Sequence, residues 1–525
     1  MQAKSRSVLV IIGLLLQAQL SCRAAGDDLD QLIDSGTTAY QKRDFAQAEQ
    51  SFLAADKQIQ SLGTKDPRGG TVLNDLALVY EAQGKRDQAL ETYKRALTAK
   101  EGAIGTDDPG LVPIIDNLAR LDLSTGNSTD AESLYKRALA IREHAPGTKQ
   151  EELAQSLNNL GNIYREQSRF TDAEPLLKRT VEIEEKALGE KNPVVAVALI
   201  NLAVCYRGEG KLKEAEPLLE RALAIRKEAC GPNSPEVADS LNRVARVYRE
   251  EQRFEEAEPL AKQVVAIEEQ SSSSDQKPLM VALDNLATIY KEESKYTDAE
   301  AAYQRVIDLK EKAYGPNSYE LVPSLTNLAF VYAIDGKDSN AEPLLKRSVD
   351  IAEKSLGPDS PDLAIAIANL YEIYREEGKF EDAEPLLKRS LSIRVKSLGP
   401  DHPDVASTYN DLGLLYQQSG KTEGAAPSFK QSVDILEKNP DANAAALANS
   451  LNNLARLYRD QGDYANAEAA YKRSLELREK AFGPNDQSVA ASLRNYALLL
   501  RKMSRDKEAD ALDARAETIE GTTGG

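Results

Sequence analysis

The chain has 525 residues, 41% hydrophobic and 29% charged, with no tryptophan, two histidines, three cysteines and a formal net charge of −18. An acidic surface of this kind repels nucleic acid and anionic lipid, which excludes both as bulk partners. Catalysis has little to work with, because His144 and His402 stand apart with no Ser/His/Asp arrangement or metal-ligand spacing around them, and no phosphate loop occurs.

Residues 1–24 form a separate segment. Lys4 and Arg6 precede the apolar run VLVIIGLLL, and the following SCRAAGDD turns small and acidic, the pattern of a secretory signal peptide. The run is shorter than the roughly 20 residues a membrane span needs. Cleavage before Ala25 predicts an exported protein, periplasmic or secreted, with no transmembrane segment. Lipoprotein anchoring at Cys22 is the weaker alternative, since that pattern wants a leucine at position 19, where this chain has Gln19 and then Leu20. Of the other cysteines, Cys205 falls midway along one predicted helix and Cys230 at the far end of the next. An antiparallel pair holds them about 15 Å apart, too far for a disulfide, so both read as small core fillers.

From about residue 30 to 519 a 42-residue block recurs without slipping. Strings such as NDLALVY, NNLGNIY and NNLARLY place Asp75, Asn117, Asn159, Asn201, Arg243, Asn285, Asn327, Asn369, Asp411, Asn453 and Asn495 at one phase. Such a period means stacked units, each too small to bury its own apolar face. Within residues 153–188 two amphipathic helices follow one another, and the turn between them is usually glycine, as at Gly84, Gly210 and Gly378. Joints such as GPNSPEVA, GPDSPDLA and GPDHPDVA stop one helix and start the next, with Ser234, Ser360 or His402 at the cap position. Pro175, Pro217, Pro259, Pro343, Pro385 and Pro427 read as first-turn prolines of second helices. The glutamates near them, such as Glu132, Glu174, Glu216, Glu258, Glu300 and Glu384, read as first-turn acids favoured by the helix dipole. Pairs such as Lys178 with Arg179 and Lys346 with Arg347 read as solvated, the run SSSSD at 271–275 as a loosened joint, and residues 520–525 as a disordered tail.

Where paired helices cross, small residues recur, as Ala77, Ala119, Gly161, Ala203 and onward, broken only by Tyr371, with a matching alanine in each second helix. This small–small packing, with tyrosine three residues later and glycine at the turn, resembles the tetratricopeptide repeat, and the 42-residue form with GPDHPDVA-type joints is similar to kinesin light chains. The resemblance implies an all-α fold: a right-handed superhelix, or α-solenoid, of about twelve antiparallel helical hairpins over residues 25–519. It covers nearly the whole chain after residue 24. The coiled-coil segment of kinesin light chains is missing, so motor association is not implied.

Asparagine in a helix interior costs about half a kcal/mol relative to alanine. Eight of the eleven positions nonetheless carry it: Asn117, Asn159, Asn201, Asn285, Asn327, Asn369, Asn453 and Asn495. The resemblance implies that this phase faces a concave groove and that the amides, donor and acceptor together, bond the backbone of an extended peptide. The alternative use is to bond a neighbouring helix and fix the stack. Six residues on, Arg165, Arg207, Arg249, Lys291, Arg375, Arg459 and Arg501 form a cationic column, interrupted by Ala333 and Gln417. With Arg243 it would read acidic groups of a ligand, or else form salt bridges between units. The combined expectation is a non-enzymatic scaffold that needs no cofactor or metal and binds a protein or peptide partner. A self-associating envelope protein and a hydrolase are the runners-up, and oligomeric state is not readable.

Overall fold

The computed structural model describes residues 28–62, 66–271 and 275–522. The signal segment with Cys22, residues 272–274 of the predicted loose joint and residues 523–525 lie outside the described residues. Among the described residues there are twenty-four α-helices, two short 3-10 helices (Pro109–Leu111 and Tyr319–Leu321) and no strand, and the α-helices are paired in sequence into twelve hairpins. They are α1 (28–41) with α2 (Phe45–Leu62), α3 (Arg68–Ala82) with α4 (Arg86–Ile104), α5 (Val112–Ser124) with α6 (Ser128–His144), and α7 (Gln150–Glu166) with α8 (Phe170–Leu188). Next come α9 (Pro193–Gly208) with α10 (Leu212–Cys230), α11 (Pro235–Glu250) with α12 (Phe254–Gln270), α13 (Lys277–Glu292) with α14 (Tyr296–Tyr314), and α15 (Val322–Ile334) with α16 (Asp338–Leu356). The last four are α17 (Pro361–Glu376) with α18 (Phe380–Leu398), α19 (Pro403–Gln418) with α20 (Thr422–Leu436), α21 (Ala444–Asp460) with α22 (Tyr464–Phe482), and α23 (Gln487–Lys502) with α24 (Asp506–Thr522). The chain forms two compact units divided between Leu260 and Ala261, inside α12, and hairpins stack in order within each.

The local grammar explains these limits. Every hairpin turn has one residue in the left-handed region: seven are glycine, and Arg43, Ser168, Gln252, Ser294 and Ser504 occupy it at φ 57 to 60°. The joints cap as their residues predict. Ser234 Oγ accepts from the Val237 amide, Ser360 Oγ from Asp362 and His402 Nδ1 from Asp404. The small column is buried, from Ala77 and Ala119 at 0% exposure to Ala245 at 3%. At Gly161 an added Cβ would stand 2.8 Å from Leu177 Cδ2. The exception, Tyr371, is itself buried, and its hydroxyl reaches the Asp411 carbonyl at 3.4 Å in the next hairpin.

Several expectations need correction. The prolines sit in the second turn, not the first, as Pro175 in a helix that starts at Phe170. Each removes one bond to the carbonyl four residues back, and those residues, such as Thr171 and Lys213, are exposed, so water can take the orphaned acceptor. Cys230 is exposed and only Cys205 is a buried filler; both are free thiols. The last helix runs to Thr522, so the tail expected from residue 520 starts helical.

The Glu column is the larger correction. Glu174 also lies beyond the first turn, and it is a clamp between hairpins rather than a dipole partner. It bonds Lys178 at 2.5 Å in its own helix, Lys211 at 2.9 Å in the next hairpin's turn and the Tyr206 hydroxyl at 3.5 Å. Glu342 repeats this with Lys346, Lys379 and Tyr374, and Glu384 with Lys388, Lys421 and Tyr416. The cations also lie over the tyrosine ring, as Lys379 over Tyr374 at 5.4 Å and Arg169 over Tyr164 at 4.2 Å. The arginines expected to be solvated form a second bridge to the preceding second helix, as Arg347 to Glu311 and Arg389 to Glu353, both at 2.6 Å.

Lysine bonds hold the carboxyl groups of Glu174, Glu342 and Glu384 down at about 2. A depressed folded pKa stabilises above the ordinary value of 4.5 and ceases to do so as pH falls from there through about 2. The lysines are about half exposed, so solvent screening limits each clamp to about 1 kcal/mol. Urea unfolding of Glu342→Gln should therefore show a loss of about that size at pH 7, shrinking to nothing near pH 2. A difference independent of pH would show that the clamp is not what stabilises.

Candidate functional site

The asparagine phase lies on the first helices, and helical geometry decides what shares its face. Residues at −4, −1, +3, +6 and +7 from each Asn fall within about one third of the helix circumference. Consecutive hairpins bring these faces side by side, and the amides register that contact directly. In the first unit Asn117 Nδ2 donates to Asn74 Oδ1 at 3.0 Å and Asn201 Nδ2 to Asn158 Oδ1 at 2.8 Å. In the second, Asn453 Nδ2 donates to Asn410 Oδ1 at 3.0 Å and Asn495 Nδ2 to Asn452 Oδ1 at 3.2 Å. Each partner stands 43 residues back, one before the preceding member of the column. Where that position is acidic, at Asp116 and Asp284, the amide of Asn159 or Asn327 faces a carboxylate and favours its charged form.

The amides thus serve the stack with one N–H. They are not closed off: all are half-buried except Asn285, which is exposed, and which has a partner within the chain. Among the described residues no protein group donates to the carbonyls of Asn117, Asn201, Asn453 or Asn495. Asn369 finds Thr326 in the acceptor position, already shared with Ser348, and forms no side-chain hydrogen bond. Chemically the row can still offer one acceptor and one donor per amide.

The cationic column is largely spent. Arg207 reaches Glu250 of the next first helix at 2.9 Å. Arg375 bonds Glu372 at 2.6 Å, Arg459 bonds Asp460 at 2.9 Å, and Arg165 bonds Asn162 at 3.3 Å with Glu166 at 4.0 Å. Arg243 places Nε between both oxygens of Asp239, at 3.0 and 3.1 Å. Arg501 pairs with Asp513 at 2.5 Å. Arg249 has a partner, and the charge of Lys291 acts on Asp284.

A further set went unnoticed in the sequence although its spacing was there to find. Arg142, Arg226, Lys310 and Arg394 recur every 84 residues on second helices and reach up to a first-helix hydroxyl fourteen residues later. The contacts are Arg142 to Ser156 at 2.6 Å, Arg226 to Ser240 at 3.0 Å, Lys310 to Ser324 at 2.9 Å and Arg394 to Thr408 at 2.8 Å. Arg142 also lies 3.6 Å from Asp116. In the two alternate hairpins that follow Arg142 and Arg226 this position is Glu184 or Glu268, followed by Ala198 or Ala282, and burial without a cation pushes the Glu184 carboxyl up to about 7. Burial likewise raises Asp75, Asp116 and Asp284, and lifts Asp411 to about 6. No cluster of metal-ligating side chains occurs among the described residues, and no helix there is long and apolar enough to cross a membrane.

Comparison with known proteins agrees with this architecture. The tetratricopeptide repeat model matches residues 32–102, 111–186, 152–228, 194–270, 279–354, 323–394, 363–438 and 446–519. No curated protein matches the chain. Among solved structures it is similar to BtubC (BKLC) from P. vanneervenii, at 23% identity and TM-score 0.39 over 44% of this chain and 91% of that one. A putative kinesin light chain with nearly identical TPR-like repeats from Podosopora anserina aligns at 26% identity and TM-score 0.37, over 39% and 98% of the two chains. A tetratricopeptide repeat protein from Parabacteroides merdae aligns at 18% identity and TM-score 0.39, over 53% and 92%. Tetratricopeptide repeat proteins mediate protein–protein interactions and typically serve as non-catalytic scaffolds. With the repeat model matched along nearly all of its length, the chain belongs to the tetratricopeptide repeat family.

Proposed function

We propose that this protein is an exported, non-enzymatic scaffold that holds extended segments of other proteins against its first-helix face. The observation that carries the reading is the half-buried amide row, in which one N–H is used by the stack and the carbonyl is left for a ligand amide. An extended backbone offers N–H and C=O groups at a regular spacing whatever its side chains, and a row of amides matches that need.

The test is a pull-down from the exported fraction with the wild type and a variant changing Asn159, Asn201, Asn285 and Asn327 to Ala. The captured partner should fall at least tenfold while circular dichroism keeps its helical signal. Undiminished capture would move recognition off this face. Export is checked separately: N-terminal sequencing of the mature protein from that fraction should begin at Ala25, and a chain beginning at Met1 or an acylated Cys22 would contradict it.

A further inference from the structure

Resting on that reading of the amide face, we propose that α13, α15, α17 and α19 in the second unit dock an extended segment with apolar side chains flanked by lysine or arginine, not an acidic one. The four first helices form one continuous row. Asn327 of α15 faces Asp284 of α13, α15 lies against α17, and Tyr371 of α17 bonds the Asp411 carbonyl of α19.

The centre of the row is apolar and exposed. Val281 is 56% exposed, Ile334 57% and Ile365 53%. They stand at −4, +7 and −4 from Asn285, Asn327 and Asn369, on the same face as those amides. On α15 every residue at the shared positions is uncharged, with Pro323, Phe330 and Ala333 beside Asn327. Val281 and Ile365 belong to alternate hairpins, where alanine replaces the hydroxyl that a second-helix cation would otherwise hold. Packed helices lie about 10 Å apart. The two aliphatic sites are then about 20 Å apart, the reach of roughly six residues of extended chain.

Charge around that centre is one-sided. At the shared positions these helices carry the carboxylates Asp284, Glu292, Glu372, Glu376 and Asp411 against two cations, Lys291 and Arg375. Arg375 is held by Glu372 at 2.6 Å with Glu376 at 3.8 Å, so Lys291, whose charge acts on Asp284 of its own helix, is the one cation left among five carboxylates. Farther along, Arg494 and Arg501 of α23 are neutralised by Glu520 and Asp513 of α24. A basic flank complements such a surface, whereas a second copy laid face to face would set carboxylate against carboxylate.

Panning a random dodecamer display library on the full chain, then measuring a synthetic peptide of the enriched sequence by fluorescence anisotropy, tests this. The enriched sequences should combine Leu, Ile, Val or Phe with Lys or Arg. Ile334→Ser with Ile365→Ser should weaken binding at least tenfold, and Glu372→Gln with Asp411→Asn several-fold with a flatter salt dependence. Leu53→Ser, an exposed apolar residue on the second helix α2, should change nothing. Enrichment of Asp or Glu, or binding indifferent to the serine variant, overturns the proposal. So does a dimer in sedimentation that Ile334→Ser dissolves. If Asn327→Ala with Asn369→Ala abolishes binding of an acidic consensus, the amide reading stands and this inference falls. If binding survives both the amide and the serine variants, both fall.

Discussion

A carboxylate and a cation 37 residues apart meet across hairpin after hairpin in each unit, as Glu174 with Lys211 and Glu342 with Lys379, and the remaining contacts depend on that register. A lone hairpin buries one face only, so its stability comes from the neighbour it lies against. Apolar contacts supply most of that energy but little positional information, since aliphatic side chains slide with small loss. The clamp supplies position. Its carboxylate is tied at once to its own helix, to the next turn and to a tyrosine in the next first helix, and the three can be satisfied together in one alignment only.

That alignment brings each asparagine within reach of the residue 43 positions earlier. The amide row is thus a consequence of the stack as well as a surface on it. Amides that bond their neighbours are held in one orientation, so a ligand bonding to the free carbonyl loses less entropy in ordering them. The structural and recognition roles weighed against each other in the sequence are compatible because an amide has more than one hydrogen-bonding group.

The 84-residue alternation modulates this uniform row. A second-helix cation under one hairpin demands a hydroxyl above it, and the next hairpin has alanine with an exposed aliphatic residue alongside, as at Val197, Val281 and Ile365. The face therefore varies in polarity along its length while the backbone repeats.

Period, helix limits, caps and the small crossing column were legible in the residues alone, because they follow from local rules: glycine's left-handed freedom at Gly84, a proline after a capping Ser234, alanine where helices touch. The asparagine and arginine columns were legible as columns too. What each member bonds was not, since Arg207 reaching Glu250 and Arg243 turning back to Asp239 differ only in which carboxylate lies nearer in space. The same limit hid the clamp, whose members are ordinary surface residues until the hairpins are laid together. Sequence by itself determined that twelve hairpins stack, because local propensity and a 42-residue period leave no other way to bury the apolar faces. Tertiary structure alone decided which charges are spent and on what, because a carboxylate four residues away, as Asp239 for Arg243, competes with one that folding brings close from 43 residues away, as Glu250 for Arg207.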